Sequence, residues 1–125
     1  MDQTDAKVTV TLKDVLRLLN AEAVSRGIDE STRVEMACAA DLMSDVLAFI
    51  KAGALLLTGL TTPQVVYTAE MADVRVVCFV RGKKPSAETT TLAEKKDIIL
   101  LRTSLPMFES CGRLYASGLR GCSER

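Results

Sequence analysis

The sequence has 125 residues, of which 48% are hydrophobic and 26% are charged. This length suits a single domain and this composition is ordinary for a globular protein, which excludes a second independent core and extensive disorder. Sixteen basic and 16 acidic side chains give a formal net charge of zero, whereas nucleic-acid binders usually carry a basic excess.

The beginning of the sequence is polar and carries charges of both signs, unlike a signal peptide, which has a basic start and an apolar core. No apolar run approaches the ~20 residues that span a membrane, and the longest run, 52–57, is interrupted by Gly53. We therefore expect a cytoplasmic protein that has no membrane contact.

The first predicted elements are short. The β-branched segment 7–12 predicts a strand, and Thr11 followed by Asp14 predicts a capping box that opens a helix. A second short strand is expected at 21–25. The rest of the sequence alternates between the two kinds of element: apolar strands at 33–40, 54–58, 74–80 and 98–101, and helices at 41–51, 63–72, 86–97 and 105–117.

Side chains within these elements predict helix starts and a core. Thr62 before Pro63, Ser86 before Thr89, and Thr103 or Ser104 are the expected helix caps. The buried face of the helix at 41–51 is assigned to Leu42, Val46, Leu47, Phe49 and Ile50, and the core aromatic residues are assigned as Phe49, Phe79 and Phe108.

The regular alternation of strand and helix predicts an α/β fold. We expect one mostly parallel sheet with helices on both faces and right-handed crossovers. Ligands in such sheets bind beyond the carboxyl ends of the strands. The residues that follow the four apolar strands there form what we call the carboxyl-end rim, which includes Gly59, Thr62, Lys84 and Arg102. The residues of this rim that we expect to bind a ligand are Asp41, Ser44, Asp45, Thr58, Thr61, Arg81, Gly82, Lys83, Thr103 and Ser104.

The carboxyl-end rim combines hydroxyls, a carboxylate pair and a basic cluster, and helix N-termini would direct backbone N–H groups toward it. Such a rim suits a phosphate-bearing small molecule.

Two alternatives stay open. Asp41 and Asp45 either hold a divalent cation or serve as a helix cap and a solvated acid, and the run 81–84 either meets an acidic partner or is a solvated turn. This run has no aromatic residue on which a base could stack, so single-stranded nucleic acid is not favoured.

Catalytic motifs are missing from the sequence. It contains no histidine, so Ser-His-Asp and Cys-His arrangements are excluded. The segment 53–59 begins and ends with glycine but lacks the lysine of a phosphate-binding loop, and no G-x-G-x-x-G follows a strand.

The cysteines Cys38, Cys78, Cys111 and Cys122 are spaced too widely for a zinc or iron–sulfur site. We expect a protein that is not an enzyme and has no cofactor or metal, in which Cys38 and Cys78 act as small hydrophobes and Cys122 is a free thiol in a polar tail.

Several segments together resemble a DRTGG domain. The opening helix TLKDVLRLLNAEAV at 11–24 is typical of the family, ADLMSDVL at 40–47 resembles the family segment G-D-L-L-S-x-V-M, and LLLT at 55–58 resembles the strand that follows it. Residues 74–119 resemble the ending of the family, and the whole match covers about 8–119. One departure is the name-giving turn, typically Thr-Gly-Gly, which reads Val80-Arg81-Gly82-Lys83 here, so only Gly82 is kept.

The resemblance implies a three-layer α/β/α sandwich, frequent dimerisation and a regulatory role. Related modules occur in HPr kinase/phosphorylase-like proteins and in some CBS-domain pyrophosphatases, and short relatives are often encoded beside iron-only hydrogenase subunits. We therefore predict a DRTGG-like domain at 7–119, between a flexible N-terminus at 1–6 and a flexible tail at 120–125. Its predicted function is that of a homodimeric regulatory or protein-interaction module associated with a hydrogenase or redox system; the alternative is a sensor of a nucleotide or other phosphate-bearing ligand.

Overall fold

The structure, a computed structural model, describes residues 9–122, so the predictions for 1–8 and 123–125 lie outside the described residues. The strands are β1 (Val10–Thr11), β2 (Glu22–Ala23), β3 (Arg33–Val34), β4 (Met36–Ala39), β5 (Ala54–Thr58), β6 (Val76–Phe79), β7 (Ile99–Arg102) and β8 (Arg120–Gly121). The helices are α1 (Leu12–Leu18), α2 (Met43–Phe49), α3 (Pro63–Met71), α4 (Ala87–Lys95) and α5 (Met107–Ala116).

Six strands form one sheet in the order β2-β7-β6-β5-β4-β8, and β1 pairs with β3 in a separate antiparallel ladder. The strands β4 to β7 are parallel neighbours in chain order, β8 runs parallel to β4, and only β2 runs antiparallel, against β7. The predicted mostly parallel sheet is confirmed.

The order of the strands determines where the helices lie. From β4 to β7 each step moves one strand in the same direction, so right-handed crossovers place α2, α3 and α4 on one face of the sheet. The connection from β7 to β8 returns across the sheet, and α5 therefore lies on the opposite face, with α1. The predicted three-layer α/β/α arrangement is thus confirmed.

The two faces of the sheet have separate cores. Leu56, Val77 and Phe79 pack with α2, α3 and α4, while Leu55 and Leu57 pack with α1 and α5 on the other side. All five residues of β5 are buried, as expected for a central strand with helices on both faces.

Some of the predicted helix caps are present. Thr11 and Asp14 form the capping box: the Asp14 N–H donates to Thr11 Oγ1 at 3.2 Å, and the Thr11 N–H donates to Asp14 Oδ2 at 3.0 Å. Ser86 Oγ accepts from the Thr89 N–H at 3.2 Å at the start of α4. Pro63 opens α3 as predicted, although the Thr62 side chain makes no capping bond.

Other boundaries differ from the prediction. The single strand predicted at 33–40 is two strands, since β3 ends before Glu35 and pairs with β1 while β4 joins the main sheet. The N-cap of α5 is Pro106, so neither Thr103 nor Ser104 caps this helix. The tail predicted from Arg120 onward begins instead as β8, because its first two residues pair with β4.

The burial prediction was wrong for several apolar side chains. In α2, Met43 and Val46 are buried, but Leu42, Leu47 and Phe49 are 62%, 47% and 64% exposed. A helix of seven residues resting on a sheet buries only a narrow stripe, and the apolar residues of α2 occupy more than that stripe. Phe108, in the first turn of α5, is 89% exposed and is not a core residue.

None of the helices within residues 9–122 is both long enough and apolar enough to cross a membrane.

Candidate ligand-binding rim

The loops that follow the parallel strands gather at one edge of the sheet, as predicted, and the loops after β4 and β5 are joined by a carboxylate. Asp41 Oδ1 accepts from the Gly59 N–H at 2.7 Å and from Thr58 Oγ1 at 3.2 Å. Thr58 is fully buried, and its Oγ1 also accepts from the Leu60 N–H at 3.1 Å. Asp41 therefore links two loops and does not cap α2, whose N-cap is Leu42.

The other residues of this half of the rim divide into exposed and structural groups. Ser44 and Asp45 lie exposed in the first turn of α2. Thr61 is half-buried, and its carbonyl accepts from Thr89 Oγ1 at 2.8 Å, which ties the loop after β5 to α4. Among the described residues, no three Cys, Asp or Glu side chains are grouped so that they could hold a metal ion.

The loop after β6 is a tight turn with unusual backbone angles. The Lys83 N–H donates to the Val80 carbonyl at 3.2 Å, and the two central residues, Arg81 and Gly82, have φ angles of 61° and 69°. Two successive positive φ angles are typical of a type I′ turn, which favours Asn-Gly. Glycine adopts this conformation freely, but an arginine in it is strained.

This turn is held in place by the loop after β7. The Arg81 N–H donates to the Leu105 carbonyl and the Gly82 N–H donates to the Thr103 carbonyl, both at 2.8 Å. Thr103 is buried, and its Oγ1 donates to the Leu19 carbonyl at 2.6 Å. The Thr103 hydroxyl therefore anchors α1, and Ser104 beside it is exposed.

Arg102 braces the same turn; it belongs to the predicted rim but was not among the residues predicted to bind a ligand. Its Nη2 donates to the Gly82 carbonyl at 2.9 Å, and its Nη1 forms an ion pair with Glu22 on β2. Its Nε is buried and makes no hydrogen bond to any residue between 9 and 122. A sequence signal for it existed: a basic residue at the end of an apolar strand directly precedes the predicted rim residue Thr103.

The sheet topology gives the ends of β6 and β7 a special place. The chain leaves β6 toward α4 on one face and leaves β7 toward α5 on the other, so the two loops diverge. This divergence is the topological switch point at which open parallel sheets form a ligand crevice. Arg81 and Lys83 are exposed there, whereas Thr103 and Gly82 shape the backbone.

The predicted single rim is therefore two half-sites of different charge. Asp41 and Asp45 lie at the β4 end, and the exposed basic residues Arg81 and Lys83 lie at the β6 end. Two strand spacings of about 4.8 Å separate β4 from β6, or about 10 Å in total. We call the loops after β6 and β7 the basic half-site.

A groove of about 330 Å³ lies away from the rim, between α3 and α4, and is lined by Tyr67, Ala87, Glu88, Thr91, Leu92 and Lys95. A smaller cavity of about 150 Å³ lies between α5 and the sheet. No predicted rim residue lines either space.

The thiols are shielded to different extents. Cys78 is fully buried in β6, and burial raises its pKa to about 12. Burial, and after it the neighbouring thiols of Cys122 and Cys111, raises the pKa of Cys38 to about 11. Burial also raises the pKa of Cys111. Cys122 is a free thiol as predicted, but it is 5% exposed, so its predicted place in a polar tail was wrong.

Fold and site together define a three-layer α/β/α domain with polar loops gathered at the carboxyl edge of its sheet. No protein-family model matches the chain, and no curated protein is significantly similar to it in sequence.

Among solved structures, the chain is similar to the CBS and DRTGG domains of the regulatory region of a Clostridium perfringens pyrophosphatase, in complex with the activator diadenosine tetraphosphate. The TM-score is 0.71 at 21% sequence identity, over 86% of this chain and 47% of that chain. The chain thus spans about half the length of this neighbour and has a DRTGG-like fold, which confirms the predicted resemblance at the level of fold.

Proposed function

We propose that the protein is a non-catalytic regulatory module whose basic half-site binds a phosphate-bearing small molecule. The observation that carries this proposal is the pair of exposed cations, Arg81 and Lys83, on a rigid turn at the topological switch point. The structural neighbour is a regulatory region that binds a nucleotide, which supports a regulatory role for this fold.

The chemistry of the basic half-site supports binding rather than catalysis. The sequence contains no histidine, and the hydroxyls of Thr58 and Thr103 are buried in hydrogen bonds that shape loops. Neither hydroxyl is placed to act as a nucleophile with a nearby base. The side chains left for a ligand are the exposed Ser104 hydroxyl and the cations Arg81 and Lys83, and these cations stabilise a bound phosphate without transferring a proton.

The backbone adds to the attraction for an anion. The helix α4 follows the Arg81 turn, and its N-terminus, capped by Ser86, faces the same edge of the sheet. The positive end of its dipole therefore adds to the two cations. Arg102 keeps the turn in place through Gly82 and acts as a positioning residue, because Glu22 already neutralises its charge.

A thermal-shift titration tests the proposal with inorganic pyrophosphate, AMP, ADP, ATP and diadenosine tetraphosphate. A ligand at one hundred times its Kd should stabilise the protein by about 2.7 kcal/mol. Arg81→Asn and Lys83→Asn should weaken the response, whereas Lys95→Gln, which removes an exposed charge at the other end of α4, should not. A response that is equal in all three variants would exclude the basic half-site, and no response to any of these ligands would exclude the ligand class.

A second proposed role is self-association through α2. Leu42 and Phe49 are seven positions apart, or about two helical turns, and so they lie on the same flank of the helix. Both are more than 60% exposed, and exposed apolar patches on globular proteins often mark interaction sites. The zero net charge gives only weak repulsion between copies. This flank therefore supports the predicted homodimer.

Light scattering after size exclusion tests this second role. Wild-type protein should elute as a dimer, and Phe49→Glu should shift it to a monomer. Phe108→Glu, which changes a more exposed aromatic residue on the opposite face of the sheet, should leave the dimer intact. A monomeric wild type at high concentration would overturn the homodimer. The association with a hydrogenase or redox system, another protein partner and the cytoplasmic location stay predictions.

A further inference from the structure

Two cysteines that are distant in the sequence stand next to each other at one edge of the sheet. The parallel ladder of β4 and β8 pairs Met36 with Arg120 and Ala37 with Gly121. Cys122 follows the last residue of β8, and the same register continued by one position places it opposite Cys38. Cys122 is 5% exposed and Cys38 is partly exposed, so the pair lies at the margin of the core.

The side chains of this pair share a face of the sheet. Cys38 is in register with Leu56 of β5, which packs in the core beneath α2 and α3. Opposed residues on neighbouring parallel strands point to the same side, so Cys122 points there as well. The Cys122 thiol is also near enough to contribute, after burial, to the raised pKa of Cys38.

This geometry suits a disulfide. Neighbouring strands lie about 4.7–4.9 Å apart, and the Cα atoms of bridged cysteines are usually about 4.4–6.8 Å apart. A bond between Cys38 and Cys122 therefore requires little movement of the backbone. Cys111 also neighbours Cys38, and the two line one cavity, but it is on α5, which packs on the other face of the sheet, and so it has no strand register with Cys38. Cys78 is enclosed in β6.

We propose that Cys38 and Cys122 are a reversible oxidation site, at which a disulfide fixes β8 to the edge strand β4. Because β8 has only two residues, its attachment in the reduced protein depends on a short ladder. The disulfide would add a covalent bond there and close a chain segment from 38 to 122. The stability of this edge of the sheet would then depend on the redox state.

The reaction is a thiol–disulfide exchange with a low-molecular-weight disulfide as the oxidant. The thiolate of one cysteine attacks a sulfur of the oxidant, forms a mixed disulfide and releases one small thiolate. The second cysteine loses its proton and attacks the protein sulfur of the mixed disulfide, which releases the other small thiolate. The protein loses two electrons and two protons, and the oxidant becomes two thiols.

The environment of Cys38 makes this exchange slow at neutral pH. Only the thiolate attacks a disulfide, and burial raises the Cys38 pKa to about 11. The rate of disulfide formation should therefore rise steeply with pH between 7 and 9.

The test uses the full-length reduced protein, treated with oxidised glutathione and then compared with a sample kept in reductant. The count of free thiols should fall from four to two, with no change in oligomer size. Trypsin without reductant should then release residues 34–51 joined to residues 121–125. The oxidised protein should also melt several degrees above the reduced protein, because the cross-link restricts the unfolded chain.

Variants separate the proposed pair from the other thiols. Cys111→Ser should still form the cross-link and keep the melting shift, whereas Cys38→Ser and Cys122→Ser should lose both. Cross-linked peptides that contain Cys111, disulfides found only between chains, or four free thiols after treatment at pH 9 would each overturn the proposal. The peptide map of the wild type decides the question even if a variant does not fold.

Discussion

Replacing Arg81 by asparagine should stabilise the protein, although it removes a residue that we propose for the ligand. Arg81 has a φ angle of 61° and is not at the end of a helix. The other non-glycine residues with positive φ, Asn20, Asp73 and Asp97, each follow the C-cap of a helix, where left-handed residues are common. Arg81 therefore has a strained backbone conformation outside the helix ends, where left-handed residues are common.

The size of the effect follows from the backbone. A left-handed conformation costs an ordinary L-residue about 1–2 kcal/mol, and asparagine avoids part of this cost. The Arg81 side chain is exposed, so little packing is lost. We expect the free energy of unfolding to rise by about 1 kcal/mol, which corresponds to an increase in Tm of about 3–5 °C for a domain of this size.

Urea unfolding of the wild type, Arg81→Asn and Lys83→Asn measures this gain. Lys83→Asn is the matched control, because it removes a charge from the same turn at a residue that is not among those with positive φ. Arg81→Asn should have a higher midpoint and Lys83→Asn should be unchanged, while both should bind anions more weakly. A lower midpoint for Arg81→Asn would refute the assignment of strain to this residue.

Two further substitutions test other parts of the structure. Asp41→Ala should lower the free energy of unfolding in urea by about 1–3 kcal/mol, because the buried Thr58 hydroxyl and the Gly59 N–H lose their acceptor. Asp45→Ala, at an exposed neighbour, is the control. Equal effects of the two substitutions would contradict the bridging role of Asp41. Cys78→Val should remove a loss of stability at alkaline pH. Burial raises the Cys78 pKa to about 12, so as the pH rises the thiol loses its proton in the unfolded chain before it does so in the folded protein. The stability that the protonated Cys78 thiol contributes is therefore complete below about pH 9 and is lost toward pH 12. Wild type should lose about 1 kcal/mol per pH unit relative to Cys78→Val above pH 9, and parallel stability curves would refute the shift.

The parallel sheet could be predicted from the sequence because its signals are local. Apolar strands such as 54–58 alternate with helices whose starts are marked by Ser86 and Pro63, and this pattern leaves few topologies. The carboxyl-end rim followed from the same pattern, since parallel strands bring their ends to one edge.

The features that the sequence did not predict correctly depend on contacts between residues that are distant in the chain. Thr103 donates to a carbonyl 84 positions away, at Leu19, so no local pattern distinguishes this structural hydroxyl from one that is open to a ligand. In α2 the apolar residues extend around most of the helix, so periodicity does not separate buried Val46 from exposed Phe49. The pairing of Cys38 with Cys122 depends on β8, which has a length of two residues and gives no strand signal.

The central claim is that the loops after β6 and β7 bind a phosphate-bearing molecule. A titration of isotopically labelled protein with pyrophosphate and ATP, followed by amide NMR, tests it most directly. The account predicts that the amide signals of residues 81–83 and 102–105 move in a saturable manner while those of Asp45 and Thr91 stay in place. Movement centred on the groove between α3 and α4, or no movement at any residue, would contradict it.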